Sequence, residues 1–244
     1  NLPAYLEIFF ATQRIGACAV PTNTALLDDG LAYIINNAGM SILFTVTAHL
    51  PELERIKDKI DKPLAIVVVP DVDQKDFSDN TAINNHLENH HYQSYLEILK
   101  GSPQDKPKSD ISPNSTSMLM YTSGTTGYPK GVVYDYGTSQ AKMSRMFAHL
   151  LVNENDVYYT CLPLFHANAL LVTCLSCLYS DAEIALSSKF SARHFWREIR
   201  ESNATIFNTL GTMIAILMKQ PSAPLENKHK VRRVISAACP SIHI

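Results

Sequence analysis

The sequence has little of what would mark a membrane, secreted or nucleic-acid-binding protein. Its longest apolar stretches, such as 64–69 and 167–178, fall short of the ~20 residues that cross a bilayer, so no transmembrane segment is expected. The opening residues, Asn1-Leu2-Pro3-Ala4-Tyr5-Leu6-Glu7, hold no basic run of the signal-peptide kind and begin in mid-pattern. They read as a chain already under way, in a cytoplasmic protein. Lys and Arg number 21 against 23 Asp and Glu, a net charge of −2. No basic excess or stripe is present for phosphate backbones to meet, so no nucleic acid is expected as partner. Cysteines are few, five, and odd in number, which argues against a disulfide framework and suits reduced thiols. Cys174-x-x-Cys177 has no second pair at zinc-site spacing, so both are expected to be buried structural thiols rather than metal ligands. Repeats and low-complexity tracts are absent as well.

What remains is an ordinary globular mix, 46% hydrophobic and 18% charged, too apolar for a disordered chain. Its 244 residues allow one large domain or two smaller lobes. The periodicity alternates between helix and strand. A helix from Pro3 carries Leu6, Phe9, Phe10, Gln13 and Ala17 on one side, breaks at Gly16, and gives way to extended chain over 17–21. Asp28 and Asp29 suggest an N-cap for a helix closed by Gly39. Strands are expected at 42–46 and 64–69, with a charged helix at 51–60 between them.

From 70 to 115 the pattern fades into polar residues with four prolines, a connection with one short helix at 92–99. His86, His90 and His91 in this segment lack an acidic or Cys companion and are expected to be loop residues rather than a metal site. Alternation then resumes, with strands at 118–122, 131–134, 157–162, 183–186, 205–209 and 231–237. Helices are expected at 138–151, 167–179, 192–202 and 213–219. The class is therefore α/β: two mainly parallel β-sheet lobes, 1–69 and 116–244, with helices on both faces and the connection 70–115 between them.

One stretch stands apart. Tyr121-Thr122-Ser123-Gly124-Thr125-Thr126-Gly127-Tyr128-Pro129-Lys130-Gly131 contains three of the chain's nine glycines. Glycines let backbone N–H groups approach phosphate oxygens, four small hydroxyl side chains add donors, and Lys130 supplies a compact positive charge. The combination suits a polyphosphate. It is neither a Walker A loop nor Gly-x-Gly-x-x-Gly, since the glycine spacing fits neither.

The run Thr-Ser-Gly-Thr-Thr-Gly-x-Pro-Lys-Gly resembles the phosphate-loop motif of the adenylate-forming superfamily: acyl-CoA synthetases, adenylation domains and luciferases. Gly16-Ala17-Cys18-Ala19-Val20-Pro21-Thr22-Asn23 is similar to its early Gly-Ala-x-x-Val-Pro-x-Asn segment. Pro163-Leu164-Phe165-His166 is similar to the Pro-Leu-Phe-His segment of the acyl-CoA synthetase branch. Phe190-Ser191-Ala192-Arg193 with Phe195-Trp196, then Ala204-Thr205 and Lys219-Gln220-Pro221, most resembles the crotonobetaine/carnitine-CoA ligase group.

The resemblance implies an acid–thiol ligase. A carboxylate attacks the α-phosphorus of ATP to give acyl-AMP and pyrophosphate, and the CoA thiol displaces AMP. It implies ATP, Mg2+ and CoA as cofactors and co-substrates, and a small-molecule carboxylic acid as partner. Thr122, Ser123, Gly124, Thr125, Thr126, Gly127 and Lys130 are the implied ATP-binding loop, with Lys130 and Thr122 the implied catalytic pair. Phe165 and His166 are the implied substrate contacts; an imidazole where amino-acid-activating relatives place an aspartate favours an acid without an α-ammonium. After Lys130-Gly131-Val132-Val133, Tyr134-Asp135-Tyr136-Gly137 replaces the family's Ser/Thr-His pair and Asn. The family's later Tyr-Gly-x-Thr-Glu segment with its Mg2+-binding Glu, its Thr-Gly-Asp segment and its C-terminal domain with a catalytic lysine are not in the sequence. The chain thus reads as an internal piece of an N-terminal AMP-binding domain, whose uncovered apolar edges favour association. The alternative reading is a non-catalytic nucleotide-binding remnant or pseudoenzyme, and the identity of the acid stays open between carnitine-like and fatty acids.

Overall fold

A computed structural model describes residues 1–71, 92–101, 105, 107, 109–122, 127–137, 139–221 and 227–237, with backbone alone at 139–141. The chain forms two compact units, the first essentially Ala4–Val133 and the second beginning at Tyr134. The sequence places the second lobe's start at 116; in the structure the boundary between the two units falls between Val133 and Tyr134.

In the first unit, α1 (Pro3–Arg14) starts on a proline whose missing N–H costs a first turn nothing. Gly16 ends it with a φ of +74°, and a Cβ there would lie 3.1 Å from Ile111 Cγ1. The chain then runs extended, and Ala19 bridges in parallel to Met118 through Ala19 N–H to the Ser117 carbonyl and Leu119 N–H to the Ala19 carbonyl, both 2.9 Å. Next come α2 (Asp28–Ala38), β1 (Ile42–Thr45), α3 (Leu50–Ile56), β2 (Ala65–Val68), β3 (Gln93–Ser94) and α4 (Tyr95–Gly101). Gly39 closes α2 in the left-handed region at φ +61°, as its sequence position predicts. The cap at the other end differs from expectation: neither Asp28 nor Asp29 caps with its side chain. The Asp28 N–H instead donates to the Glu52 carboxylate at 2.5 Å. That hydrogen bond and the Arg55 guanidinium hold the Glu52 carboxyl below its ordinary pKa.

Strands β1, β2 and β3 form a parallel sheet in that order, with Phe44 beside Val67 and Val68 beside Ser94. Alternation along β2 divides the packing. Val68 faces a core made with Ile34, Ile35, Leu50, Leu53 and Ile56 of α2 and α3. Val67 and Val69 pack instead with Tyr95 and Leu96 of α4 and Ile8 of α1. Strands β4 (Thr116–Thr122) and β5 (Lys130–Asp135) pair with each other.

The second unit holds α5 (Ser139–Leu151), β6 (Val157–Thr160), a π-helical segment Asn168–Cys174 continued by α6 (Leu175–Ser180), β7 (Glu183–Leu186), α7 (Phe195–Glu201), β8 (Ile206–Leu210), α8 (Gly211–Met218) and β9 (Arg233–Ala237). Its sheet is parallel throughout, in the order β7-β6-β8-β9. Tyr158 packs on one face with Val152, Cys177 and Ile206. Tyr159, its neighbour on β6, meets Phe195 of α7 on the other, edge to face at 5.7 Å. Helices therefore cover both faces, as expected for the α/β class. Trp196 is half-buried and stacks on His229 at 5.4 Å. Phe195 and Ile199 fill the core position instead.

Asp156, just before β6, is 2% exposed. It accepts hydrogen bonds from Thr205 Oγ1 at 2.6 Å, Arg232 Nε at 2.8 Å and the Asn153 N–H at 2.9 Å. Arg233 donates to the Leu150 and Leu151 carbonyls at 3.1 and 2.6 Å, satisfying the C-terminal end of α5. Cys161, Cys174 and Cys177 are buried free thiols, as expected, and burial pushes the first two up to about 11 and about 12. Among the described residues no group of three His, Cys, Asp or Glu side chains is placed to hold a metal, and no helix is long and apolar enough to cross a membrane. His86, His90, His91 and Cys239 lie outside the described residues.

Candidate functional site

The glycine- and hydroxyl-rich stretch lies between β4, which delivers Tyr121 and Thr122, and β5, which begins at Lys130. Ser123, Gly124, Thr125 and Thr126 lie outside the described residues, so the site is built here from its two flanks. Those flanks meet: Thr122 Oγ1 donates to the Lys130 carbonyl at 3.5 Å, and both residues are exposed. Gly127 takes a φ of +140°, a conformation L-residues rarely adopt, so the turn into Pro129 and Lys130 needs glycine there. At Gly131 the demand is for space, because a Cβ would stand 3.3 Å from the Tyr121 ring. The Lys130 side chain is left in solvent, where an ammonium attracts a polyanion.

Both flanks rest on one face of α2, through residues the sequence reading did not single out. Tyr33 and Asn37 are four residues apart and so share a helix face. Asn37 Oδ1 accepts the Tyr121 hydroxyl at 2.6 Å, before the loop. Tyr33 stacks on Tyr128 with ring centroids 4.5 Å apart and planes 18° apart, after it. Burial, with the neighbouring Tyr33 and Cys18, raises the Tyr121 phenol above its ordinary pKa, which keeps it a neutral donor. The i,i+4 spacing of Tyr33 and Asn37 was visible in the sequence, but their partners lie 84 and more residues away, beyond the reach of local pattern.

Phe165 and His166 belong to the second unit, in the turn after β6. The His166 N–H donates to the Pro163 carbonyl at 3.0 Å, and the His166 carbonyl accepts the Leu170 N–H at 3.1 Å, entering the π-helical segment. Asn1 clasps the same turn: its Nδ2 donates to the Leu162 and Ser187 carbonyls at 2.9 and 3.0 Å, and its Oδ1 accepts the Leu164 N–H at 2.9 Å. The two rings of the Phe165–His166 pair lie 4.5 Å apart, tilted by 56°. Phe165 is half-buried while His166 is exposed. Partial desolvation lowers the imidazole's pKa and favours its neutral form. Such a group offers a substrate one donor and one acceptor without a fixed charge.

The family model of AMP-binding enzymes matches residues 1–241. The chain belongs to the AMP-binding enzyme family. A crotonobetaine/carnitine–CoA ligase of Salmonella paratyphi B is 28% identical over 235 residues, a match that takes in 96% of this chain and 43% of that protein. Among solved structures, the anthranilate CoA ligase AuaEII in complex with anthranoyl-AMP superposes with a TM-score of 0.80 at 20% identity, over 96% of this chain and 43% of the other. The N-terminal domain of FACL13 from Mycobacterium tuberculosis, with an inhibitor bound, gives 0.77 at 21%, over 99% and 56%. At these identities the structural likeness is one of fold. This AMP-binding chain spans less than half the length of the Salmonella relative it matches.

Proposed function

We propose that this chain is the ATP-binding part of an acid–thiol ligase of the acyl-CoA synthetase type. Membership of the AMP-binding family supports the class of reaction. The observation that carries the reading to particular residues is the meeting of Thr122 and Lys130 across a loop whose far limb turns at Gly127. Thr122, Ser123, Gly124, Thr125, Thr126, Gly127 and Lys130 would bind the β- and γ-phosphates of ATP. Attack of a carboxylate on the α-phosphorus brings two anions together, so the demands are in-line positioning and preorganised positive charge. Lys130 supplies the charge and Thr122 a hydroxyl donor. Phe165 and His166 would meet the carboxylic acid, and a neutral imidazole there favours an acid without an α-ammonium. CoA is the acceptor in the second step. Magnesium takes oxygen ligands from phosphates and one or two carboxylates; among the described residues no group of three His, Cys, Asp or Glu side chains is placed to hold it, and no step is assigned to the metal. Buried free thiols at Cys161, Cys174 and Cys177 support a reducing, cytoplasmic setting.

The test is carboxylate-dependent ATP–pyrophosphate exchange in the full-length gene product, with acids from acetate through long fatty acids to crotonobetaine and carnitine. Exchange with one class of acid is the expected result, and Lys130→Ala should lower its rate about a hundredfold or more while the KM for the acid changes little. Retained ATP binding with no exchange for any acid would favour a non-catalytic nucleotide-binding protein. Equal rates for Lys130→Ala and the parent would remove Lys130 from the mechanism.

A further inference from the structure

Asn208 sits on β8, fully buried, between the two strands that β8 pairs with. Its backbone is held in register by Ile235 of β9, and the preceding residues Ile206 and Phe207 pair with Tyr158 and Tyr159 of β6. From this rigid base Nδ2 donates to Asn168 Oδ1 and to Thr173 Oγ1, both at 2.8 Å. Asn168 opens the π-helical segment and Thr173 lies five residues on. In an α-helix, residues i and i+5 point about 140° apart, out of reach of one amide group. In a helix closing i to i+5 bonds they stand one turn above the other. A single side chain can therefore hold both only while the segment keeps its π register.

The consequence travels to His166, two residues before Asn168, whose carbonyl accepts the Leu170 N–H from inside the π-helical segment. The far end is fixed, since Cys174 and Cys177 are 0% exposed and the segment runs straight into α6. Loss of the π register would turn the near end, with Phe165 and His166, relative to that fixed end. Resting on the reading of His166 as an acid-facing residue, we propose that Asn208 is a positioning residue: it clamps Asn168 to Thr173, keeps 168–174 π-helical, and so sets the direction of the His166 imidazole. The Asn208 Oδ1 oxygen is itself buried without a hydrogen-bond partner among the described residues. The amide is thus retained at a site where an apolar side chain would leave no orphaned oxygen of its own, which fits a positioning duty better than a packing one.

The test uses the full-length protein carrying Asn208→Leu and, as the milder change at the other end of the clamp, Thr173→Val. Histidines are labelled at 13Cε1 and the His166 resonance is assigned by its loss in His166→Ala. Both variants should shift that resonance, and Asn208→Leu should lower kcat/KM for the acid about ten- to hundredfold with the KM for ATP within about twofold of the parent. In a His166→Ala background Asn208→Leu should cost little more. A His166 resonance unmoved in Thr173→Val and in folded Asn208→Leu would overturn the proposal, as would full additivity of the Asn208 and His166 losses. A moved resonance with no kinetic effect of His166→Ala would uphold the positioning and instead remove the acid-facing role of His166.

Discussion

At the scale of single residues, the best-partnered charge in the described structure is Asp156. Burial works to raise its pKa, but hydrogen bonds from Arg232, Thr205 and the Asn153 N–H outweigh it, and the carboxyl ends below its ordinary value. A carboxyl with a depressed folded-state pKa contributes stability that is present above its unfolded pKa and lost as the pH falls through the folded one. The second unit should therefore lose stability as the pH falls through the ordinary carboxylate range and on below it, and Asp156→Asn should flatten that limb. The same substitution should cost about 2–3 kcal/mol at neutral pH, short of a fully buried broken pair because Arg232 keeps 38% of its side chain exposed and can rehydrate. Urea titrations of parent and variant from pH 3 to 7 measure both effects; parallel curves across that range would show that Asp156 carries no net linkage.

At the scale of elements, α2 does two jobs, burying Ile34 and Ile35 while offering Tyr33 and Asn37 to the two flanks of the phosphate loop. Tyr33→Ala and Asn37→Ala each free one limb, so both should raise the KM for ATP, by about three- to tenfold, with the acid's KM unchanged. Tyr121→Phe, which removes the hydroxyl and keeps the ring against Gly131, should match Asn37→Ala and add little to it. Initial-rate kinetics against ATP check this, and additive losses would break the pairing. Much of the rest was legible from period and punctuation: Gly39 closes α2, β7 falls on 183–186, and parallel sheets follow from strand–helix alternation. What escaped was set by partners distant in sequence. Glu52 caps α2 from 24 residues away, Asn208 reaches Asn168 and Thr173 from another element, and Asn37 meets Tyr121 across 84 residues. An apolar run such as 167–179 reads the same in either helical register, so its π opening leaves no trace in hydrophobic period.

At the scale of the whole molecule, each unit builds its own parallel sheet and its own core, and apolar side chains remain outside both. Met146, Leu150 and Leu178 on α5 and α6 are 51%, 64% and 60% exposed, and β1, at the margin of its described sheet, shows Ile42 at 55%. With a net charge of only −2 there is little self-repulsion to oppose contact. The 244-residue chain on its own should thus self-associate at micromolar concentrations, and Leu150→Lys with Leu178→Lys should reduce it; sedimentation as a monomer throughout would refute this. The distribution of thiols gives these measurements a common clock. Cys18 is exposed in the first unit, whereas Cys161, Cys174 and Cys177 are sealed inside the second. Among these four, an alkylating reagent will reach Cys18 first and Cys161, Cys174 and Cys177 only when the second unit opens. The slow phase at Cys161, Cys174 and Cys177, read by the masses of the peptides that carry them, then times the opening of one half of the protein without any introduced probe.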